Sequence, residues 1–144
     1  MQVTINLKNA VLASAALIAL GAGAAWAANK YGKPKSVIHV VTLSYKEGTT
    51  DAQKKQVLDG VEKMAAEVPG IRNVWLKSTK VQGYQYEKLA NGTTEYRRMT
   101  DAFVMEFESE AAMAAYADHP AHAAWEKIYV PLRQRSATSD VTNP

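Results

Sequence analysis

The dipeptide Asn91-Gly92 constrains this chain more than any other short stretch. Asn-Gly between two strand-like runs is the strongest local signal for a β-hairpin. Ile71 to Tyr86 precedes it and Glu95 to Phe107 follows it, and both runs are rich in β-branched and aromatic residues. The two segments are therefore expected to be antiparallel strands of one sheet. A two-residue turn would set Lys88 opposite Glu95 and Tyr86 opposite Arg97, a charge pair and a cation–aromatic pair. Farther from the turn the same register sets Lys80 against Phe103. A bulge near Gly83 would bring Val81 there instead. A hairpin of this length should project its tip past the body of the domain.

The flanking segments complete an order of elements. Val37 to Tyr45 alternates with period two. Val37, His39, Val41, Leu43 and Tyr45 share one face, and both faces are apolar enough to need cover. Thr50 reads as a helix N-cap with Gln53 three residues on, a capping box, and Asp51 suits the positive end of the helix. Val57, Leu58, Val61, Met64, Ala65 and Val68 form an amphipathic stripe, which Pro69-Gly70 stops. Ser109 caps a second helical region. Pro120 interrupts it, leaving His119 at a joint, and opens a further helical piece that Pro131 closes. Arg133 to Val141 reads as a polar last strand. The order β-α-β-β-α-β is the ferredoxin-like α+β arrangement, an antiparallel four-stranded sheet with its helices on one face. The opposite face, with Ile38, Val40 and Val104, needs a cover, and a second copy of the same sheet is the economical one.

The first 27 residues stand apart from this pattern. Lys8 precedes an uncharged apolar run from Val11 to Leu20, and Ala25-Trp26-Ala27 has the small-x-small form of a cleavage site. Residues 1–27 are expected to be a signal peptide cut after Ala27, residues 28–36 a linker, 37–141 the folded domain and 142–144 a tail. Left uncut, Val11 to Ala28 is just long enough to anchor the chain in a bilayer. The alanine-rich signal points to bacterial Sec-type export, hence the periplasm or secretion, with no membrane association after cleavage.

The chain has no cysteine among its 144 residues. That excludes disulfides, thiol catalysis, Cys-based zinc sites and a lipidated N-terminal cysteine. The formal charge is only +3 and the bases are scattered, with no run interleaved with aromatics. A nucleic-acid groove is therefore not expected. Phosphate-binding glycine loops, zincin motifs and the nucleophile elbow are all missing.

What remains chemically is a small set of residues. His39, mid-strand, is either a satisfied core histidine or a ligand-facing acid or base. Tyr116 is either a core residue or, if it lines a cavity, an oxyanion donor. His122 has two potential carboxylate partners, Glu126 four residues on and Asp140 on the last strand. Either would fix the imidazole tautomer and raise its basicity for general-base work. His39, His119 and His122 together could hold a metal. Their spacing matches no known ligand signature, so no metal and no cofactor are expected.

Several of these stretches resemble the stress-responsive A/B barrel (Dabb) family. They are His39 in VIHVVTLSY, Val68-Pro69-Gly70-Ile71, Met105-Glu106-Phe107-Glu108-Ser109 and, above all, Tyr116-x-x-His119-Pro120-x-His122. The resemblance implies a ferredoxin-like domain that dimerises through its sheets into an α+β barrel. It extends to plant polyketide cyclases of the olivetolic acid cyclase type, which run a cofactor-free aldol cyclisation. By that likeness Tyr116 and His122 would carry the chemistry, Asp140 would orient His122, and His39 would line the pocket. Asp101 stands where those cyclases have a further pocket histidine. It shares strand parity with Phe103 and Met105, so Asp101, Phe103 and His119 are expected to line the pocket, and a buried Asp101 carboxylate would disfavour anionic ligands. An exported protein does not meet the cytosolic polyketide intermediates that such a cyclase uses. The resulting expectation is an exported homodimeric small-molecule-binding or stress-response protein with a small apolar or aromatic ligand. The alternative is a cofactor-independent lyase or cyclase-like enzyme with a His–Asp pair. A third reading is haem or metal binding, which occurs among related dimeric α+β barrels.

Overall fold

Alternating apolar residues along β1 (Val37–Tyr45) build the strand around which the others are arranged. The computed structural model describes residues 31–144, and Pro34–Pro144 form one compact unit. The expected signal peptide and its cleavage site lie outside the described residues. β1 is followed by α1 (Asp51–Glu67), β2 (Ile71–Trp75), β3 (Gly83–Lys88), β4 (Thr94–Met99), β5 (Asp101–Phe107), α2 (Glu110–Ala117), α3 (Pro120–Leu132) and β6 (Arg133–Val141). Four strands form an antiparallel sheet in the order β2-β5-β1-β6, the ferredoxin-like topology. β3 and β4 form a separate two-stranded ribbon.

Local chemistry accounts for the helix boundaries. Thr50 and Gln53 form the reciprocal capping box at the start of α1, and Gly70 takes a φ of 87° in the turn that follows it. Ser109 accepts the amide of Ala112 at the start of α2. Pro131 does not close α3, which runs one residue further, to Leu132. Lys46 satisfies the exposed carbonyls at that end: its backbone N–H donates to Leu132 O and its ammonium to Pro131 O. Val57, Val61, Met64 and Val68 of α1 and its exit pack with Trp125 and Tyr129 of α3 over Val41, Leu43, Phe103, Met105 and Phe107 of the sheet.

The hairpin departs from expectation in two ways. Tyr86 pairs with Tyr96 and Lys88 with Thr94, a register one residue away from the expected one. The turn holds three residues, Ala90-Asn91-Gly92, closed by the Leu89 N–H to Thr93 carbonyl bond, with Gly92 at φ 83°. Asn91 turns its side-chain oxygen onto the Thr93 amide and hydroxyl, which favours the longer loop. A one-residue shift moves every side chain to the other face. Tyr84, Tyr86 and Tyr96 therefore stand together on the outside, while Glu87 and Arg97 turn inward. The expected Lys88–Glu95 and Tyr86–Arg97 pairs do not form. Arg97 pairs with Glu95 on its own strand, and Glu87 pairs with Arg135 of β6. Neither long strand is continuous: residues 76–82 separate β2 from β3, and Thr100 separates β4 from β5. No bulge brings Val81 to Phe103, because Val41 is the sheet partner of Phe103.

The residues just outside β1 and β6 are also tied together. Thr142 donates its hydroxyl to Lys35 O, and Asn143 its amide to Pro34 O. The end of the linker and the tail therefore run side by side as an extension of the β1–β6 pair.

Candidate functional site

The sheet register brings the first of the candidate residues together. β1 and β6 pair so that His39 lies directly opposite Asp140. Their side chains meet with His39 Nδ1 at 2.6 Å from Asp140 Oδ1. His39 is buried, only 7% exposed, whereas the Asp140 carboxylate is partly solvated. The carboxylate is thus committed to His39 and not to His122. On His122, Nδ1 instead faces the carbonyl oxygen of Ala117 at 3.1 Å, and Glu126 lies along the same cavity wall but makes no hydrogen bond to it. The expected orienting role of Asp140 toward His122 is corrected by this geometry. The physical reason is the strand register, which sets His39 and not His122 across from Asp140.

Tyr116 stands between the two histidines. Its ring centre is 5.8 Å from that of His39 and 4.4 Å from that of His122. It comes from the last turn of α2, just before the joint at Asp118 and His119. Burial raises the pKa of its hydroxyl well above the ordinary tyrosine value, and the nearby Glu126, Asp140 and Tyr129 add to the shift. Tyr116 therefore stays a hydrogen-bond donor across the physiological range.

These three residues line a cavity of about 220 Å³ over β1 and β6, closed on the other side by α3. Trp125, Tyr129 and Arg133 continue its wall. The rings of α3 form a column. His122 stacks on Trp125 at 5.8 Å, Trp125 on Tyr129 at 4.5 Å, and the Arg133 guanidinium lies over Tyr129 at 5.3 Å. A smaller hollow of about 100 Å³ between α1 and α3 shares Trp125 but carries neither histidine.

The other expected pocket residues lie elsewhere. The cavity sits over β1 and β6, and β5 is one strand away, so Phe103 is sealed in the core with its ring 5.7 Å from Trp125. Asp101 keeps the expected parity but stands at the outer end of β5. There it accepts the Thr100 hydroxyl at 2.6 Å and helps to raise the pKa of Tyr45. His119 is the N-cap of α3, its Nδ1 accepting the amide of Ala121 at 3.1 Å. The three histidines are thus engaged with three different partners. Among the described residues no three His, Asp or Glu side chains converge as metal ligands.

Sequence reasoning missed Arg133 and Tyr129 as cavity residues. The signal was available, because 122, 125 and 129 fall on one face of a helix and Arg133 follows four residues later.

Comparison with known proteins bears on this arrangement. A family profile described as the Stress responsive A/B Barrel Domain matches residues 37–143. No curated protein sequence matches the chain. Several solved structures share the fold. A dimeric ferredoxin-like protein of unknown function from Bacteroides fragilis is 19% identical, with a TM-score of 0.54 over 77% of this chain and 99% of its own. A Dabb-family protein from Mesorhizobium loti is 21% identical, with a TM-score of 0.51 over 76% of this chain and 97% of its own. A hydroxynitrile lyase from Passiflora edulis is 16% identical, with a TM-score of 0.54 over 75% of this chain and 93% of its own.

Proposed function

Since the chain belongs to the stress responsive A/B barrel domain family, we propose that it is an exported homodimer that binds a small apolar or aromatic molecule. The observation that carries this reading is the cavity of about 220 Å³ with the Tyr116–His122–Trp125–Tyr129 column along its wall. A concave, largely aromatic site with a few converging polar groups is the usual form of a small-molecule pocket. Dimerisation is supported by the open face of the sheet, where Trp75 is 50% and Val141 55% exposed, and by the dimeric Bacteroides fragilis protein of the same fold. Export is supported by the apolar run Val11 to Leu20 and by Ala25-Trp26-Ala27. Native mass spectrometry of protein purified from the periplasm tests all three parts. The expected species is a dimer of chains cut after Ala27 that retains a small organic ligand. A monomer of uncut chains would sink the assembly and export parts, and failure of every small aromatic probe to bind would sink the pocket.

A second reading is favoured by the His39–Asp140 pair beside Tyr116. With Nδ1 of His39 held by a carboxylate, Nε2 is the ring nitrogen left to take a proton. Tyr116 could then steady an oxyanion. This is the apparatus of cofactor-free lyase or cyclase chemistry, and the Passiflora edulis protein of the same fold is a lyase. The reading differs from the expected one in its base, His39 in place of His122. Incubation with an aromatic hydroxynitrile, following aldehyde release, tests it. Turnover lost in both His39→Gln and Asp140→Asn, but kept in His122→Ala, is the expected pattern. No turnover by the parent ends the lyase form of this reading.

A further inference from the structure

We infer that the β3–β4 ribbon is a dimerisation arm whose tyrosine side is covered by a second copy of this chain. The inference rests on the homodimer proposed above and adds the element that completes its interface.

The ribbon is amphipathic in the reverse of the usual sense. Gln85, Glu87, Glu95 and Arg97 turn inward, while Tyr84, Tyr86, Tyr96 and Arg98 turn outward. Glu87 and Glu95 stand directly opposite each other, a repulsive pair that Arg135 and Arg97 offset, one each. The Gln85 amide donates to Ser136 O at 3.4 Å and completes the attachment to β6. A ribbon with only water outside it would set its rings on the sheet and its charges in solvent. Here Tyr84, Tyr86 and Tyr96 are 59%, 67% and 65% exposed. They pack on one another, with ring centres 6.5 Å apart for Tyr84 and Tyr96 and 4.6 Å apart for Tyr86 and Tyr96. The rings thus form one exposed patch, which scattered surface residues do not.

Placement selects the occupant. Arg135 pairs in the sheet with Ser44, which shares the open side of β1 with Ile38, Val40 and Thr42. Those three are half-buried, but Ser44 is buried, as expected where a ribbon tied to Arg135 lies over the sheet. With its polar side on the sheet, the ribbon turns its tyrosines the way the open side faces. A second sheet stacked on that side therefore meets the tyrosines too. Trp75, half exposed on the same side, adds a fourth ring. Composition agrees, because Tyr, Trp and Arg are enriched at the buried centres of interfaces. Area agrees as well. Aromatic side chains bury roughly 150–250 Å² each, so the exposed parts of the three tyrosines amount to about 400 Å² per chain. Two copies related by a two-fold axis offer about 800 Å², roughly half of what a stable interface buries in total. The open side of the sheet supplies the rest.

Sedimentation equilibrium of the purified protein, parent against the triple variant Tyr84→Ser, Tyr86→Ser and Tyr96→Ser, is the first measurement. The parent should be a dimer, and the variant should dissociate at roughly hundredfold lower dilution, the loss expected when a central aromatic cluster is removed. Circular dichroism establishes that the variant is folded. Nitration of the parent by tetranitromethane needs no variant. At concentrations where the dimer prevails, Tyr84, Tyr86 and Tyr96 should react several-fold more slowly than the exposed Tyr31, the internal control. A folded variant that dimerises as tightly as the parent overturns the arm and leaves the homodimer standing. Nitration of the three tyrosines as fast as Tyr31 within the dimer does the same. A monomeric parent with all three reactive ends the homodimer and the arm together, and leaves the ribbon to a partner of another kind.

Discussion

The two faces of the four-stranded sheet are built from alternate residues of the same strands, and they differ in how completely one chain covers them. On the helix side, Val37, Val41, Leu43, Phe103, Met105 and Phe107 are all buried. On the other side, Ile38, Val40, Thr42, Ala102 and Val104 are only half-buried, and Trp75 and Val141 are largely exposed. The polar groups divide as well. His39, Tyr116 and the α3 column all lie on the covered side, in the cavity between sheet and helix. The difference teaches how a period of two assigns separate tasks to neighbouring residues. One face closes a core around a site, and the other stays half-open in the single chain. Adjacent positions on one strand should therefore respond to mutation by very different amounts.

Phe103 and Val104 make that comparison on β5. Phe103 is 1% exposed and packs edge-on against Trp125, while Val104 faces the open side. Phe103→Ala removes a core ring and leaves a cavity, at a cost of about 3–5 kcal/mol. Val104→Ala in dilute solution should cost roughly 1 kcal/mol or less, as for a site outside the core. Denaturant midpoints of the two variants measure the gap. Equal losses would mean that both faces are sealed in the single chain, and the contrast would be lost.

The parts of this arrangement that were legible in the sequence are those set by neighbours in the chain. The capping box at Thr50 and Gln53, the stop at Pro69-Gly70, the cap at Ser109 and the start at Pro120 each depend on a few adjacent residues. The alternation along β1 is equally local, and with these signals the β-α-β-β-α-β order follows. What was misread depends on choices that local pattern leaves nearly balanced. Asn91-Gly92 fits a two-residue and a three-residue loop, and the one-residue difference sends Tyr86 to Tyr96 instead of Arg97. Asp140 falls to His39 and not to His122 because strand register, which neither helix spacing nor family likeness specifies, sets the two opposite each other. His119 became a helix cap although histidine is not among the residues that usually serve there. Phe103 shared the right strand parity but not the right strand, since the cavity lies over β1 and β6.

Gly60 sharpens the comparison from the helix side at smaller cost. A Cβ at this position would stand 2.7 Å from Cδ1 of Trp125. The indole cannot retreat easily. Its Nε1 donates to Val57 O at 3.0 Å, and its faces are stacked on His122 and Tyr129. Alanine is the better helix former by about 1 kcal/mol, but forcing a methyl against a ring that is held in place costs about 1–3 kcal/mol, even though a hollow of about 100 Å³ opens beside it. Gly60→Ala should therefore be destabilising by about 1 kcal/mol on balance, with a changed Trp125 environment in near-ultraviolet circular dichroism. A more stable variant with an unchanged spectrum would show that the covered face has slack.

A pH dependence on the covered face appears only at alkaline pH and is absent under ordinary conditions. Burial, with help from Asp101, pushes the Tyr45 hydroxyl up to about 12, and burial raises that of Tyr116 further. In the unfolded chain both ionise near 10.0. Below that value the two states bind the same protons, and these tyrosines add no slope. Above it the unfolded chain releases protons that the folded chain retains, so stability falls as pH rises toward the folded pKa values. The measurement is the denaturation midpoint from pH 9 to pH 11.5 in the parent and in Tyr116→Phe, because the difference between them isolates one tyrosine from the lysines that titrate in the same range. The parent should lose stability more steeply above pH 10 than Tyr116→Phe does. Parallel curves would mean that Tyr116 ionises as freely in the fold as out of it, and that its hydroxyl is not the sealed donor this cavity requires.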